Sequence, residues 1–225
     1  MLIDCGVSYK VFRAKCERCG FDVGKLKAVL ITHSHSDHIS GLSVLLKKSP
    51  LPLLANQLTA QSVSDSCKID ISNFLIFEND HDFDFEDLNI CPFSIPHDTS
   101  DPVGFLISDK TDVYFHATDV GSALSSIGEM LSKASIATLE SNHDLEMLYN
   151  SGRERSLIMR ISGPRGHLSN EEAADLVCKY ASPFLKALFL AHLSHDCNEP
   201  RVAENTMLKA LSKIGRNDVS VSVLD

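Results

Sequence analysis

No apolar run in this 225-residue chain approaches the ~18 residues that a membrane-spanning helix needs, and the N-terminus lacks a basic-then-apolar leader. A cytoplasmic protein with no membrane partner is therefore expected. Basic charge is in deficit as well: 21 Lys and Arg face 30 Asp and Glu, for a net charge of −9. That balance excludes a protein that binds nucleic acid through a generally basic surface. Cysteines number seven, an odd count scattered without a disulfide framework, which suits a reducing compartment. The stretch Cys16-Glu17-Arg18-Cys19 has no second pair to complete a zinc ribbon, and it does not carry a strand into a helix as a thioredoxin motif does. Chance spacing is the better reading of it. Repeats, charge blocks and low-complexity tracts are missing too. No linker is visible, and residues 1–225 are expected to form a single domain with a full core.

What is present is alternation. Short apolar runs that read as strands cover 27–31, 51–55, 74–77, 88–95, 103–108, 113–117, 136–140, 187–191 and 219–224. Helical periodicity falls in "HISGLSVLLKK", "NQLTAQSVSD", "DVGSALSSIGEML", "LSNEEAADLVCKYA" and "EPRVAENTMLKALSKI". The stretches "DLNICPFSIP" and "VGFLISDKTDVYFHATD" read as meandering antiparallel strands. An α/β protein with helices layered outside packed sheets is expected.

One loop is dense in metal-seeking side chains. Between the apolar run Ala28–Ile31 and the helix that starts near Ile39 lie His33, His35, Asp37 and His38. In an extended loop His33 and His35 point the same way and can share one metal, while Asp37 and His38 turn toward a second. Imidazole with carboxylate suits zinc, manganese or iron and needs no thiolate. Further candidates stand at strand ends: His97 in "SIPHDTSD" and Asp119 in "VYFHATDVG". For a seventh ligand His143, His167 and His192 compete; His192 follows a buried strand, whereas His167 precedes a helix. Seven such ligands with Asp119 bridging would build two metals of unequal coordination. Two divalent ions would also place about four positive charges where a phosphate docks.

With this constellation the chain resembles the metallo-β-lactamase fold superfamily, whose hallmark is the His-x-His-x-Asp-His loop followed by His, Asp and His. It is similar within that superfamily to the YycJ/WalJ-like proteins, through "LIDCG", "VLITHSHSDHISGL", "SIPHDTSDPVGF", "ATDVG", "ESNHDLEML", "GHLSNEEAADL" and "LAHLSHDCN". The resemblance implies a four-layer αββα sandwich. Relatives carry a strand hairpin ahead of the "LIDCG" segment, so a sandwich lacking those first strands is expected, with an edge strand left unpaired. It further implies His33, His35 and His97 on one metal, Asp37, His38 and His192 on the other, and Asp119 between them. The metals would be two divalent ions, Zn2+ or Mn2+.

The same resemblance implies a phosphodiester hydrolase, a 5′-to-3′ DNA exonuclease in which a hydroxide bridging the two metals attacks in line. Asp37 would orient that hydroxide. Ser169 and Glu172 stand at capping-box spacing, so a helix begins just after His167 and its N-terminus could meet a phosphate. In related ribonuclease Z-type enzymes a similarly placed His donates a proton or contacts phosphate, which makes His167 the expected acid. His143, Ser169 and Arg165 are candidates for substrate contact, with Arg153, Arg155 and Arg160 nearby. Asp4 would orient His33 or His38 from behind, as ligating histidines need. His81, His116 and His195 have no special role. The alternative enzyme would hydrolyse a small phosphodiester, thioester or lactam on the same metals; a catalytically silent partner-binding protein would have less reason to keep the ligands intact.

Overall fold

The computed structural model describes residues 1–224. They form two compact units, residues 1–81 with 99–103, and residues 82–98 with 104 onward. Each is built on one sheet. Among the described residues no helix is long and apolar enough to cross a membrane.

The first unit carries a four-stranded sheet of β1 (Leu2–Ile3), β2 (Val29–Leu30), β3 (Leu53–Asn56) and β4 (Phe74–Phe77), in that spatial order. Every neighbouring pair is parallel. Its helices are α1 (Tyr9–Arg18), α2 (Ser36–Ile39), α3 (Leu42–Lys48) and α4 (Gln57–Cys67). Val29, Ile31, Leu53 and Ala55 alternate along β2 and β3 and pack with Phe12, Leu42, Leu45 and Val63 from the helices. The intervening Leu30 and Leu54 are buried as well, which is why these strands read as unbroken apolar runs. Helix α1 was not legible in the sequence: only Phe12 on it is buried, so its apolar stripe is almost absent. Cys16 lies in its last turns and Cys19 at its C-cap, and neither forms a disulfide.

The second unit carries β5 (Phe83–Phe85), β6 (Leu88–Ser94), β7 (Val103–Ser108), β8 (Val113–Ala117), β9 (Ile136–Glu140), β10 (Ala187–Ala191) and β11 (Ser220–Val223), in the spatial order β11-β10-β9-β8-β7-β6-β5. The meander expected over 103–119 is there as the antiparallel pair β7–β8, and β6 pairs antiparallel with β5, a strand not anticipated from the sequence. From β8 to β11 the strands are parallel, so their carboxyl ends share one edge. Helices α5 (Ser125–Leu131), α8 (Asn170–Tyr180) and α9 (Pro200–Lys213) bury Ile127, Leu131, Val177, Met207 and Leu211 against Phe115, Leu139, Leu188 and Leu190. Each such fully buried side chain contributes about 1.5–3 kcal/mol. Two short helices, α6 (Leu145–Tyr149) and α7 (Arg155–Ile161), were not anticipated; they close a small satellite core of Leu148, Ile158 and Cys197.

Candidate metal centre

In the first unit the loop after β2 delivers His33, His35, Asp37 and His38, the last two on the single turn of α2. The "LIDCG" segment is laid directly against that turn. Cys5 N donates to the His38 carbonyl at 2.7 Å, and a Cβ on Gly6 would fall 1.3 Å from the Asp37 carbonyl oxygen, so only glycine permits the contact. Asp4, held at a left-handed φ of 54°, sits beneath the histidines. Its Oδ2 accepts from His38 Nδ1 at 2.7 Å and from the Thr32 hydroxyl at 2.7 Å, and its Oδ1 accepts from Thr32 N at 2.9 Å. Burial alone would raise the Asp4 carboxyl, but these bonds from His38 and Thr32 hold it below its ordinary value. The Thr32 hydroxyl has given its proton to Asp4, so it can only accept from His33 Nδ1, 2.9 Å away. Asp4 thus reaches both histidines, His38 directly and His33 through Thr32. The rings of His33 and His35 are 4.7 Å apart, those of His33 and His38 4.1 Å.

The second unit gathers the remaining candidates at the shared carboxyl edge of its parallel strands, the usual ligand-binding edge of such sheets. Asp119 lies two residues past β8, Glu140 is the last residue of β9, and His192 follows β10 directly. Asp119 and His192 have left-handed φ angles of 59° and 58°, a conformation that non-glycine residues keep only where surroundings enforce it. Asp119 Oδ1 is 3.5 Å from His97 Nε2 and 3.5 Å from His192 Nε2. These gaps are too long for hydrogen bonds. They match donors sharing a metal, since two bonds of about 2.0–2.1 Å at a tetrahedral angle leave their donor atoms about 3.3–3.4 Å apart.

Glu140 was not anticipated as a site residue, and it organises this half. It is wholly buried at 0% exposure. Its Oε1 accepts from His192 Nδ1 at 2.8 Å, His167 Nδ1 at 2.9 Å and Asp119 N at 3.2 Å. Its Oε2 accepts from Val120 N at 2.8 Å and Leu168 N at 3.0 Å. Burial would raise its pKa, but the hydrogen bonds from His167 and His192 outweigh that and hold it low. For His167 burial pulls downward and Glu140 more than compensates, so the imidazole is held above its ordinary value. His97 is lowered, chiefly by burial, with Asp119 opposing; its Nδ1 donates to the Gly166 carbonyl at 3.1 Å. The one hint in the sequence was an acidic residue ending the apolar strand "IATLE".

These donors fit a divalent cation of borderline softness. Nitrogen and carboxylate oxygen are supplied, and among the described residues no cysteine joins the groups of side chains close enough to share an ion. In four of the expected ligands, His33, His38, His97 and His192, Nδ1 is committed to an oxygen acceptor of the protein. The proton therefore sits on Nδ1 and the lone pair on Nε2, the tautomer that a metal requires. In the second unit alone Asp119, Glu140, His167 and His192 offer ligand atoms within 4.8 Å of one another.

Ser169 and His143 are both at 0% exposure. Ser169 serves the capping box of α8, its hydroxyl accepting from Glu172 N while Glu172 accepts from Ser169 N. The N-terminus of α8 does not present itself to a phosphate, because Asn170 is buried and its N–H donates to the His143 carbonyl at 2.8 Å. Two arginines are already neutralised: Arg160 pairs with Asp98 at 2.7 Å and Arg153 with Asp196 at 2.8 Å. Arg155 and Arg165 stay exposed. The backbone at Arg165 packs on Gly121, where a Cβ would meet its Cα at 2.5 Å, so this arginine is carried on the loop whose Gly166 carbonyl orients His97.

Comparison with known proteins agrees with this geometry. A family profile described as the beta-lactamase superfamily domain matches residues 1–192. A protein named Exodeoxyribonuclease WalJ from Streptococcus pneumoniae is 34% identical over 218 residues, covering 95% of this chain and 80% of its own length. One named Exodeoxyribonuclease YycJ from Bacillus anthracis is 30% identical over 216 residues, covering 96% and 82%. Among solved structures, the metallo-beta-lactamase fold protein YhfI from Bacillus subtilis superposes with a TM-score of 0.71 at 17% identity, over 99% of this chain and 83% of its own. Two sheets with flanking helices, a histidine-aspartate loop and candidate ligands at strand ends thus coincide with the sequence match: the chain belongs to the metallo-β-lactamase superfamily and is a metal-dependent hydrolase.

Proposed function

We propose that this hydrolase degrades DNA from an end, in the 5′-to-3′ direction, using two divalent ions, Zn2+ or Mn2+. His33, His35 and His97 would hold one ion, Asp37, His38 and His192 the other, with Asp119 shared. The observation that carries the reading is the likeness, over nearly the whole chain, to two proteins named exodeoxyribonuclease. The superfamily match runs through both ligand sets in one stretch, which supports reading residues 1–225 as one functional domain. When bound, the metals supply a hydroxide nucleophile at neutral pH and offset charge on the phosphoryl oxygens.

The chain's own residues divide the remaining work. Asp37, with its carboxylate largely exposed, orients the attacking water by accepting a hydrogen bond. His167 protonates the leaving oxygen: Glu140 engages its Nδ1, so the transferable proton lies on Nε2 across the ring. Arg165 and Arg155 supply the positive charge for neighbouring phosphates. The test is metal-loaded protein on DNA duplexes and single strands labelled at either the 5′ or the 3′ end, beside a small chromogenic diester. Early release of the 5′ label as a mononucleotide supports the reading. Hydrolysis of the small diester alone would replace it with a small-molecule phosphodiesterase.

A further inference from the structure

The motif Ser141-Asn142-His143-Asp144 directly follows Glu140, and the mechanism leaves it without a task. The β9–β10 ladder ends where Glu140 pairs with Ala191. At the next residue, His192, the backbone swings to a φ of 58° and the ladder cannot continue. The carbonyl of His192 is instead taken by the side chain of Asn142, whose Nδ2 donates to it at 2.8 Å. Asn142 is fixed in turn. Its N–H donates to the Leu168 carbonyl at 2.9 Å, and its own carbonyl accepts from Ser194 N at 2.8 Å and Asn198 Nδ2 at 3.1 Å. Asn198 Nδ2 also donates to the Ser141 carbonyl at 2.9 Å, and its side chain exchanges hydrogen bonds with Asn170. Asn142, Asn170 and Asn198 are all buried. Asn198 Nδ2 shares its two protons among three acceptors, and a buried amide network so densely partnered is rigid and specifies one geometry.

His192 is therefore gripped at two points by one short segment. Glu140 sets which ring nitrogen carries the proton, and Asn142 sets the main chain from which the ring hangs. We propose that Asn142 is a positioning residue for the metal: it holds the His192 backbone in its left-handed turn so that Nε2 reaches the ion, an inference that rests on reading His192 as a ligand. Ligand side chains must be held to about 0.5 Å, so loss of one of two anchors is felt at the metal.

The test is a double-mutant cycle of Asn142→Ala and His192→Ala, read as the affinity for Co2+ by calorimetry and by the ligand-field absorption spectrum. With His192 present, Asn142→Ala lowers the affinity of one Co2+ equivalent by about 10- to 100-fold and alters its spectrum. With His192 already replaced, Asn142→Ala changes nothing further. A purely structural role would instead move both backgrounds alike, and that result overturns the proposal, as does no effect in either. If His192→Ala alone leaves Co2+ binding intact, the ligand reading falls and this proposal with it. Should Asn142→Ala not fold, Asn142→Ser repeats the cycle, since its hydroxyl can find a local partner but is too short to reach the His192 carbonyl.

Discussion

Replacing Glu140 by glutamine keeps its shape and removes half its accepting power. The carboxylate accepts five hydrogen bonds, three at Oε1 and two at Oε2. Glutamine has one oxygen, and its amide group must face donors whichever way it turns. With the amide at the Oε2 position, the N–H groups of Val120 and Leu168 lose their acceptor; at about 1–3 kcal/mol for each buried group, the cost is about 2–6 kcal/mol. For a chain of this size that lowers the melting temperature by roughly 5–20 °C. With the amide at the Oε1 position, the rings of His167 and His192 can accept from it only by moving their protons to Nε2. At His192 that is the nitrogen facing Asp119, and once protonated it cannot bind a metal. Glu140→Gln must therefore lose stability or metal. Calorimetric melting of metal-free and metal-loaded protein, with elemental analysis, reads both. Unchanged melting together with unchanged metal content would refute the reasoning. The pair also sets a pH window in the metal-free protein. Glu140 is held below 4.5, so its contribution is present above that value and is lost as pH falls through its folded pKa. His167 is held above 6.5, so its contribution is complete below 6.5 and is lost as pH rises through its folded pKa. Glu140→Gln should flatten both limbs.

Asp119→Ala should show clear metal loss by elemental analysis, and equal metal in variant and parent would remove the bridging assignment. His167→Ala should keep its metal and lose about 10²- to 10⁴-fold in rate, as expected for a lost general acid. Loss of a metal equivalent would make His167 a ligand instead. Arg165→Glu should weaken turnover of DNA while sparing a small chromogenic diester; an equal loss on both substrates would count against a phosphate-contacting role. With only Arg155 and Arg165 unengaged in that basic stretch, binding should follow salt with a shallow log–log slope of roughly −2 to −4, and a slope of −6 or steeper would point to a wider basic surface.

What the linear sequence determined by itself is what short-range physics controls. Ala28 to Ile31 must be a buried extended run because four successive apolar residues leave no solvent face, and His33 to His38 must then follow it together. Ser169 and Glu172 cap α8 because their spacing closes two hydrogen bonds within one turn. The short apolar runs at 113–117, 136–140 and 187–191 coincide with β8, β9 and β10, because an apolar run of that length between turns has little choice but to be a buried strand. Tertiary structure decided everything that depends on partners far along the chain. His38 finds Asp4 across 34 positions and Asn142 finds His192 across 50. Arg160, which reads as a phosphate contact in the sequence, is neutralised by Asp98 from 62 positions away. Glu140 is a plain strand-end acid until the segments after β8 and β10 and the segment leading into α8 bring five donors to it. A side chain's type states which bonds it can make; which ones it does make depends on which strand ends become neighbours, and that is settled only when the sheet forms.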